Sequence, residues 1–544
     1  MPDLEEFDNS SLHNDDRAHG ESNRENTFFL GAIDIGTNST HLLIASVDPN
    51  LQTFSVELAE KSTTRLGDSD SESGDLTELA MDRALEALKG FIQLAKSYQV
   101  VELVTAATSA VREAPNGLEF LERIRLTCGI EVDLVSGQEE ARLIYLGVLS
   151  GMQLDMKPHL LIDIGGGSTE IILADGRDAK ALTSTRLGAV RLQRDFIREE
   201  PLSEKRISFL RTFIEGSLEP AIEKVLSRID LNEKPLMVGT SGTVMAIASL
   251  IASQNSDSIL KLHGHSIERK DIDDIVQKLL LMSPDERSKL SCINERRSEI
   301  IIPGSLILQT AMKMSNIENI ILSTRALREG LIFDWMIKKG LLKDRFQFQS
   351  NIRYSTVMHQ SNRFDVNTLR SEYVAKHALS LYDNSIGLLH QDEGKGRELL
   401  WAASMLHACG KHINRSAYHK HSWYLIRHGE LLGYSNSEHL IVAGIARYHR
   451  RSLPKKRHES WQCLVSKKDK QIVFEMSLLL RLASAFDRRA DPVIKSLDIK
   501  NKKSEIIIRL IPKEENEDLS LERWSLMRCS PILKEYLSID LLVK

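Results

Sequence analysis

IDIGTNST at Ile33–Thr40 and IDIGGGST at Ile162–Thr169 agree at six of eight positions. Each octapeptide ends one apolar strand and begins another. In the first copy FFLGAIDIG leads in and HLLIASVD leads out. In the second, HLLIDIGG leads in and TEIILADG leads out. Short apolar runs joined by a glycine turn read as strand, turn, strand. A shared octapeptide in a shared context reads as an internal duplication. The fold expected is α/β, with two related domains facing each other across a cleft and each presenting one glycine hairpin.

FSVELAEK and AKALTSTRLG add a third strand to each copy. A helix is predicted over 76–98, with Asp75 or Thr77 as its cap. VVELVTA reads as a buried strand, followed by short helices near 109–112 and 118–127, a strand IEVDLVS, and a helix over 138–149. A third glycine turn, VGTSGTV at 238–244, follows a strand and precedes a helix. The strand ENIILS and a helix over 325–339 close this region. Beyond about Asn351 the periodicity is almost wholly helical, with 341–350 as the linker. The expected division is an acidic disordered extension at 1–27, domain I at 28–150 completed by helix 325–339, domain II at 151–324, a helical domain at 345–495 and a small α+β tail at 496–544.

The 544 residues carry a net charge of −5, with 42% apolar and 27% charged side chains. That balance excludes collagen-like and wholly disordered classes. Charge is uneven: residues 1–27 hold eight acids and two bases, whereas 411–460 hold ten Lys/Arg, three acids and seven His. The second segment is suited to face a polyanion or an acidic neighbour. The five cysteines form no CxxC pair, which argues against a disulfide framework or zinc ribbon and fits a reducing cytosol. No apolar run reaches about 18 residues, so no spanning helix is expected. The acidic start does not read as a secretory signal.

The hairpins suggest a chemistry. Tight glycine turns expose successive amides as an anion nest, and Ser or Thr hydroxyls add donors. Asp34 and Asp163 end their strands beside the turns, where a carboxylate can hold Mg²⁺ against a phosphate. There is no G-x-x-x-x-G-K-[ST], so this is not a P-loop nucleotidase. In SGQEEAR, Ser136 and Glu139 fit a capping box. Glu140 is then either a solvated helix-start acid, favoured there by the helix dipole, or a general base directed into the cleft. Glu170, directly after the second hairpin, is either a second functional carboxylate or a solvated strand residue.

IDIGTNSTHLLIA, TAATSAVREAPNG, VSGQEEARLIYLGV, LLIDIGGGSTEIIL, RLGAVRL, VGTSGT and ALREGLI occur in this order over about 28–335. Together they resemble the exopolyphosphatase/guanosine pentaphosphate phosphohydrolase (Ppx/GppA) family. The resemblance implies two actin-like, ribonuclease-H-like domains with duplicated phosphate-binding hairpins. It implies Glu140 as catalytic base, with Asp163 and Glu170 as further catalytic or metal-linked acids and Asp34 as the partner acid on the metal side. Thr37, Asn38, Ser39, Gly166, Gly167 and Ser168 would cradle phosphates. Arg112 would face a phosphate; the alternative is a surface ion pair with Glu113 or Glu119. Ser241, Gly242 and Thr243 would line the far side of the cleft, and Arg65 is a weaker candidate.

WAASMLHACGKHINRSAYHKHSWYLI and ARYHRR resemble the helical domain of the family's long members, a relative of HD-type phosphohydrolases. An HD metal site needs His followed by Asp, whereas His407 is followed by Ala408. A structural module or a basic track for substrate is therefore expected. The function expected is a cytoplasmic, dimeric exopolyphosphatase. It would use Mg²⁺, with Mn²⁺ as the alternative ion, and bind neither nucleic acid nor membrane. The alternative substrate is guanosine pentaphosphate (pppGpp). A kinase of the same superfamily and an inactive binding regulator are the remaining rivals.

Overall fold

The computed structural model describes residues 27–544 apart from 71, 198–199, 231–232, 255–261, 291, 294, 343–344, 393, 465 and 503. The acidic extension expected at 1–27 lies, except for Thr27, outside the described residues. The chain divides into two compact units, 26–352 and 353–544.

In the first unit the strands are β1 (Phe28–Ile35), β2 (Thr40–Asp48), β3 (Thr53–Ser62), β4 (Leu103–Ala107) and β5 (Asp133–Leu134). They form one sheet in the order β3-β2-β1-β4-β5, antiparallel through β3-β2-β1 and parallel from β1 to β5. A second sheet holds β6 (His159–Ile164), β7 (Thr169–Ala174), β8 (Ala179–Thr185), β9 (Leu236–Thr240), β10 (Ser266–Glu268) and β11 (Asn319–Leu322). Its order from the other edge, β8-β7-β6-β9-β11-β10, repeats the first sheet and adds the antiparallel edge strand β10. The parallel neighbours are joined by helical crossovers, as parallel pairing requires.

Helix Glu78–Ser97 covers the first sheet. Thr77 caps it, as expected, by accepting from the Ala80 amide. Its Ala80, Ala84, Leu85, Leu88 and Phe91 recur at helical spacing and are buried against Ile33, Ile35, Leu42 and Ile44. Burying a side chain of Leu or Phe size contributes about 1.5–3 kcal/mol, so this face holds the helix. The strand expected at IEVDLVS shrinks to Asp133–Leu134.

Helix Leu327–Lys338 crosses helix Gly137–Leu149 at very short range. A Cβ at Gly147 would strike the Ala326 carbonyl, and one at Gly330 would strike the Leu143 carbonyl. Arg142 on the first helix pairs with Asp334 on the second at 2.8 Å. The late helix thus packs on a helix from the first half of the chain.

The second unit holds helices Thr368–Asn384, Lys395–Leu406, Tyr418–His428, Asn436–Tyr448 and Lys467–Ser484. It also holds a sheet of β12 (Ile494–Lys502), β13 (Glu505–Pro512) and β14 (Asp540–Val543) in that order. Two sequence expectations need correction. The 341–350 linker is helical from Arg345, in helix Arg345–Arg363. The boundary at 495/496 falls inside β12, and Ile494, Ile506, Ile508, Leu510, Leu526 and Leu533 share one hydrophobic core with Val374, Leu400, Val442 and Leu479. The tail strands complete that core because they have too little apolar surface to bury alone.

Candidate active site

The two hairpins have matching backbone geometry. Gly36 N–H donates to Ser39 O at 3.1 Å, and Gly165 N–H to Ser168 O at 2.9 Å. In the first, the Thr37 and Asn38 carbonyls are held from behind by the Gly67 and Arg65 amides at 2.8 and 3.0 Å. In the second, Ala189 N–H donates to Gly165 O at 3.0 Å. Val190 and Arg191 N–H donate to Gly166 O at 2.9 and 3.1 Å. A trans peptide sets its N–H opposite its C=O, so with these carbonyls tied back, and the Gly167 carbonyl held by Arg191 Nε at 3.1 Å, the amides of Asn38, Ser39, Gly166, Gly167 and Ser168 point the other way. Successive amides without protein acceptors form the concavity that binds anions.

The hairpins also touch each other. Thr37 Oγ1 and Ser109 Oγ lie 2.9 Å apart. A Cβ on Gly167 would strike Ser109 Oγ and sit 2.8 Å from Thr37 Oγ1, and one on Gly166 would sit 3.0 Å from the Thr37 Cβ. Glycine is required here by close approach, since neither residue has a positive φ.

Register places the acids in cross-strand rows. Asp163 pairs with Glu170 on one side and with Thr240 on the other, and Glu170 pairs with Ser184. Ser184 Oγ donates to Glu170 Oε1 at 2.8 Å. In the first sheet Asp34 pairs with His41, and His41 with Lys61. The duplication thus aligns His41 with Glu170, a basic residue opposite an acidic one.

Asp34, Glu140, Asp163 and Glu170 are all buried or nearly so, and they raise one another's pKa values. Burial, then Glu140, pushes Asp34 up to about 7, although Arg328 counteracts this. Burial, Glu140 and Asp34 push Asp163 up to about 8. Glu170 is raised by burial, Glu140 and Asp163. Glu140 is raised by burial and lowered by Arg112, whose Nη1 donates to Glu140 Oε2 at 3.0 Å. Buried carboxylates that repel one another favour the binding of further positive charge beyond that of Arg112 and Arg328.

The chemistry of this donor set fits a hard divalent cation. Asp34 Oδ1 is buried without a hydrogen-bond partner, as an oxygen reserved for a cation would be. Among the described residues, no three His, Cys, Asp or Glu side chains converge closely enough to enclose a metal. The set expected from sequence, Asp34, Asp163 and Glu170, is therefore not brought together as a three-ligand group. Mg²⁺ tolerates that arrangement, since it keeps several waters and shares itself with phosphate oxygens.

Glu140 lies in the first turn of its helix, 7% exposed, so it is not a solvated acid. The capping box is only half formed. Ser136 Oγ accepts from the Glu139 amide at 3.2 Å, but the Glu139 carboxylate pairs with Arg142 at 2.6 and 2.8 Å. Arg112 makes neither alternative ion pair. Its Nη1 donates to Val135 O at 2.7 Å as well as to Glu140. Ser39 Oγ is buried without a partner, and Ser168 is buried on the strand-ward side of its turn. Ser241, at φ +85°, starts the helix beyond β9 with a buried, unpartnered Oγ. Gly242 leaves room for the Arg297 guanidinium, and Thr243 lies against Gly304. Arg65 pairs with Asp68 at 2.8 Å and with Glu299 at 3.6 Å.

The sequence reading missed the basic side of the cleft. Burial and the charges of Arg328, Lys61 and Arg297 push His41 down to about 3. Burial, Arg297 and Arg328 push Lys61 down to about 8. One signal was available: His41 follows the first octapeptide as Glu170 follows the second.

In the helical unit, His407 Nδ1 lies 2.6 Å from Ser404 O, and its ring packs edge-on to His449. It joins no metal-binding group among the described residues. Of the basic segment 411–460, Lys455, Lys456 and Arg457 are exposed. Arg447 is buried instead, and Arg427 pairs with Glu459 at 2.8 Å. Among the described residues no helix is long and apolar enough to cross a membrane.

Comparison with known proteins places the chain in a family. Residues 43–339 match the model of the Ppx/GppA phosphatase family, and residues 352–529 match that of Ppx/GppA phosphatase, domain III. A guanosine-5'-triphosphate,3'-diphosphate pyrophosphatase of Vibrio campbellii is 28% identical over 462 residues, covering 85% of this chain and 87% of that one. A Vibrio cholerae protein of the same name is 28% identical over 86% of this chain and 88% of its own. The crystal structure of an exopolyphosphatase from Cytophaga hutchinsonii superposes on 57% of this chain and 98% of its own, with 27% identity and a TM-score of 0.53. An Aquifex aeolicus Ppx/GppA family member covers the same share at 27% identity, with a TM-score of 0.50.

Proposed function

Since the chain belongs to the Ppx/GppA phosphatase family, whose members hydrolyse phosphoanhydride bonds, we propose that it removes the terminal phosphate of inorganic polyphosphate as orthophosphate. The observation that carries this reading is the pair of facing amide nests beside four buried carboxylates. The recognition groups around them suit phosphate: amides, hydroxyls, Arg112 and the basic side formed by Lys61, Arg297 and Arg328, with His41 as a neutral neighbour.

The terminal phosphate sits against the two hairpins, held by the Asn38, Ser39, Gly166, Gly167 and Ser168 amides and by the Ser39 and Ser168 hydroxyls. Glu140 accepts a proton from the attacking water. The new P–O bond forms as the bond to the bridging oxygen breaks, and the shortened chain leaves with that oxygen. Arg112 orients Glu140 and meets the negative charge that spreads over the phosphoryl oxygens. Asp34 and Asp163, with Glu170 behind them, would hold Mg²⁺ or Mn²⁺. When bound, the ion neutralises phosphate charge and brings the carboxylates into their ionised forms. Positioning and charge neutralisation are the main demands of phosphoryl transfer.

The second reading is removal of the 5′-terminal phosphate of pppGpp. It is favoured by relatives of that name aligned over more than four-fifths of this chain. Phosphate release from long polyphosphate, pppGpp and ATP at equal concentration separates the two. Higher kcat/KM on polyphosphate supports the first reading, and higher kcat/KM on pppGpp replaces it with the second. Phosphate from none of them, with a sugar phosphorylated by ATP, would sink both.

A further inference from the structure

Glu113 follows Arg112 directly but turns to the opposite half of the cleft. Arg191 Nη2 donates to Glu113 Oε2 at 2.6 Å, and Arg186 approaches the same oxygen at 3.7 Å. The same edge of the Arg191 guanidinium also reaches the hairpin: its Nε donates to the Gly167 carbonyl at 3.1 Å. One planar side chain therefore bonds both to the second hairpin and to the helix that carries Arg112.

The wider setting gives this bridge a role. The carbonyls of Gly165 and Gly166 are held by backbone amides of residues 189–191, but the Gly167 carbonyl is held by the Arg191 side chain. A peptide plane is rigid. Fixing the Gly167 carbonyl therefore fixes the direction of the next amide and, with it, the shape of the nest. Arg194, one helical turn further on the same face, makes a second bridge. It donates to Ser69 Oγ at 2.7 Å and to the Gly67 carbonyl at 3.3 Å. Gly67 itself donates to the Thr37 carbonyl of the first hairpin. Helix Ala189–Phe196 is thus tied to both nests and to both halves of the cleft. The Glu113 and Arg191 side chains are mostly shielded, 16% and 28% exposed, so their ion pair is screened less than a surface pair.

Resting on the phosphoanhydride reading above, we propose that Arg191 is a positioning residue. By bonding Glu113 and the Gly167 carbonyl together, it closes the cleft and sets the second amide nest around the terminal phosphate. Arg191 acts through the hairpin and Glu113 and does not touch the reacting atoms. Glutamine at 191 cannot span both acceptors. Lysine can keep the charge pair with Glu113 but lacks the planar fork that serves both acceptors at once.

The test uses the full chain, with tripolyphosphate as probe in the presence of Mg²⁺. Steady-state kinetics are paired with hydrogen exchange at the backbone amides of positions 190 and 191, which bond the Gly166 carbonyl. For Arg191→Gln, kcat is expected to fall by about 10²-fold, the scale of an ångström-level misplacement. KM should move by less than about threefold, because the lost positioning matters mainly in the transition state. Exchange at 190–191 should rise while that of helix Glu78–Ser97 stays unchanged. Arg191→Lys should recover part of kcat. Glu113→Gln should raise exchange at the same amides, and it replaces Arg191→Gln if that variant fails to melt cooperatively. Wild-type kcat and exchange in both Arg191→Gln and Glu113→Gln would overturn the proposal, as would a purely KM effect. A wild-type protein that releases no phosphate from any polyphosphate would instead refute the reaction, with the exchange data still reporting on the clasp.

Discussion

Glu139 and Glu140 are adjacent on one helical turn, yet their surroundings give them different roles. Glu140 is buried among three other carboxylates and bonded to Arg112, whereas Glu139 is half-exposed and paired with Arg142. A general base contributes about 10²–10⁴-fold. Glu140→Gln should therefore lower kcat for phosphate release by about that factor while KM stays within a few-fold. Glu139→Gln loses only a partly exposed ion pair worth about 0.5 kcal/mol. Its turnover should stay near wild type, with a small drop in melting temperature. Equal losses in the two variants would remove Glu140 from its assigned role. Gly167→Ala is the complementary change. Its new Cβ meets Ser109 and Thr37, so it should cost activity through separation of the hairpins. Ser109→Ala, which clears the space in front of that Cβ, should restore part of the loss in the double variant.

At the scale of elements, Glu140 is placed by a helix crossing. Helices Gly137–Leu149 and Leu327–Lys338 approach so closely that Gly147 and Gly330 each face a carbonyl of the other helix. Gly330→Val would force the crossing apart and disturb Asp334, the partner of Arg142. Overpacking of this kind costs about 1–3 kcal/mol. A lowered melting temperature is expected together with reduced kcat, since the base moves with its helix. Calorimetry and phosphate release on one preparation check both. A stability loss with unchanged kcat would mean the crossing does not position Glu140. Local sequence announced these helices by their periodicity and by Ser136. It did not announce their contact, because the 180 or so intervening residues contain the whole second sheet and the pairing depends on the tertiary path.

The whole molecule should respond to pH with opposite signs in its two units. In the helical unit, burial pushes His377 and His407 down to about 4. The unfolded chain binds these protons near pH 6.5. Their stabilisation is complete above that value and is lost as pH falls towards 4. In the first unit, Asp34 and Asp163 are pushed up to about 7 and 8. The folded form holds these protons more tightly, so their contribution is fullest below about pH 4 and is lost as pH rises through 7 to 8. Melting curves should therefore show the helical unit weakening between pH 6.5 and 4. Mg²⁺, which competes with protons for the carboxylates, should raise the melting temperature of the first unit more at pH 8 than at pH 5. An equal Mg²⁺ effect at both values would place the ion elsewhere. The exposed Lys455, Lys456 and Arg457 offer a further check. If they hold long polyphosphate, replacing all three with Gln should flatten the salt dependence of binding, because fewer counterions are released. Product ladders should then show more intermediate lengths. Unchanged ladders and salt slope would remove this segment from substrate binding.

The sequence by itself determined the paired α/β architecture, the two hairpins and most helices. Each of those depends on local rules: a two-residue or 3.6-residue apolar period, a glycine turn, a capping hydroxyl. It also supplied the acidic residues of the site, because they sit within or beside recognisable turns. Only the tertiary structure decided what those residues meet. It drew His41, Lys61, Arg297 and Arg328 together on one side of the cleft. It committed Glu139 to Arg142 and took Arg447 out of the surface segment. It also merged the tail strands into the helical core. These outcomes depend on strand register, helix crossing and burial, which bring together groups tens to hundreds of residues apart. A buried charge is governed by the neighbours that folding gives it, and no local pattern records them.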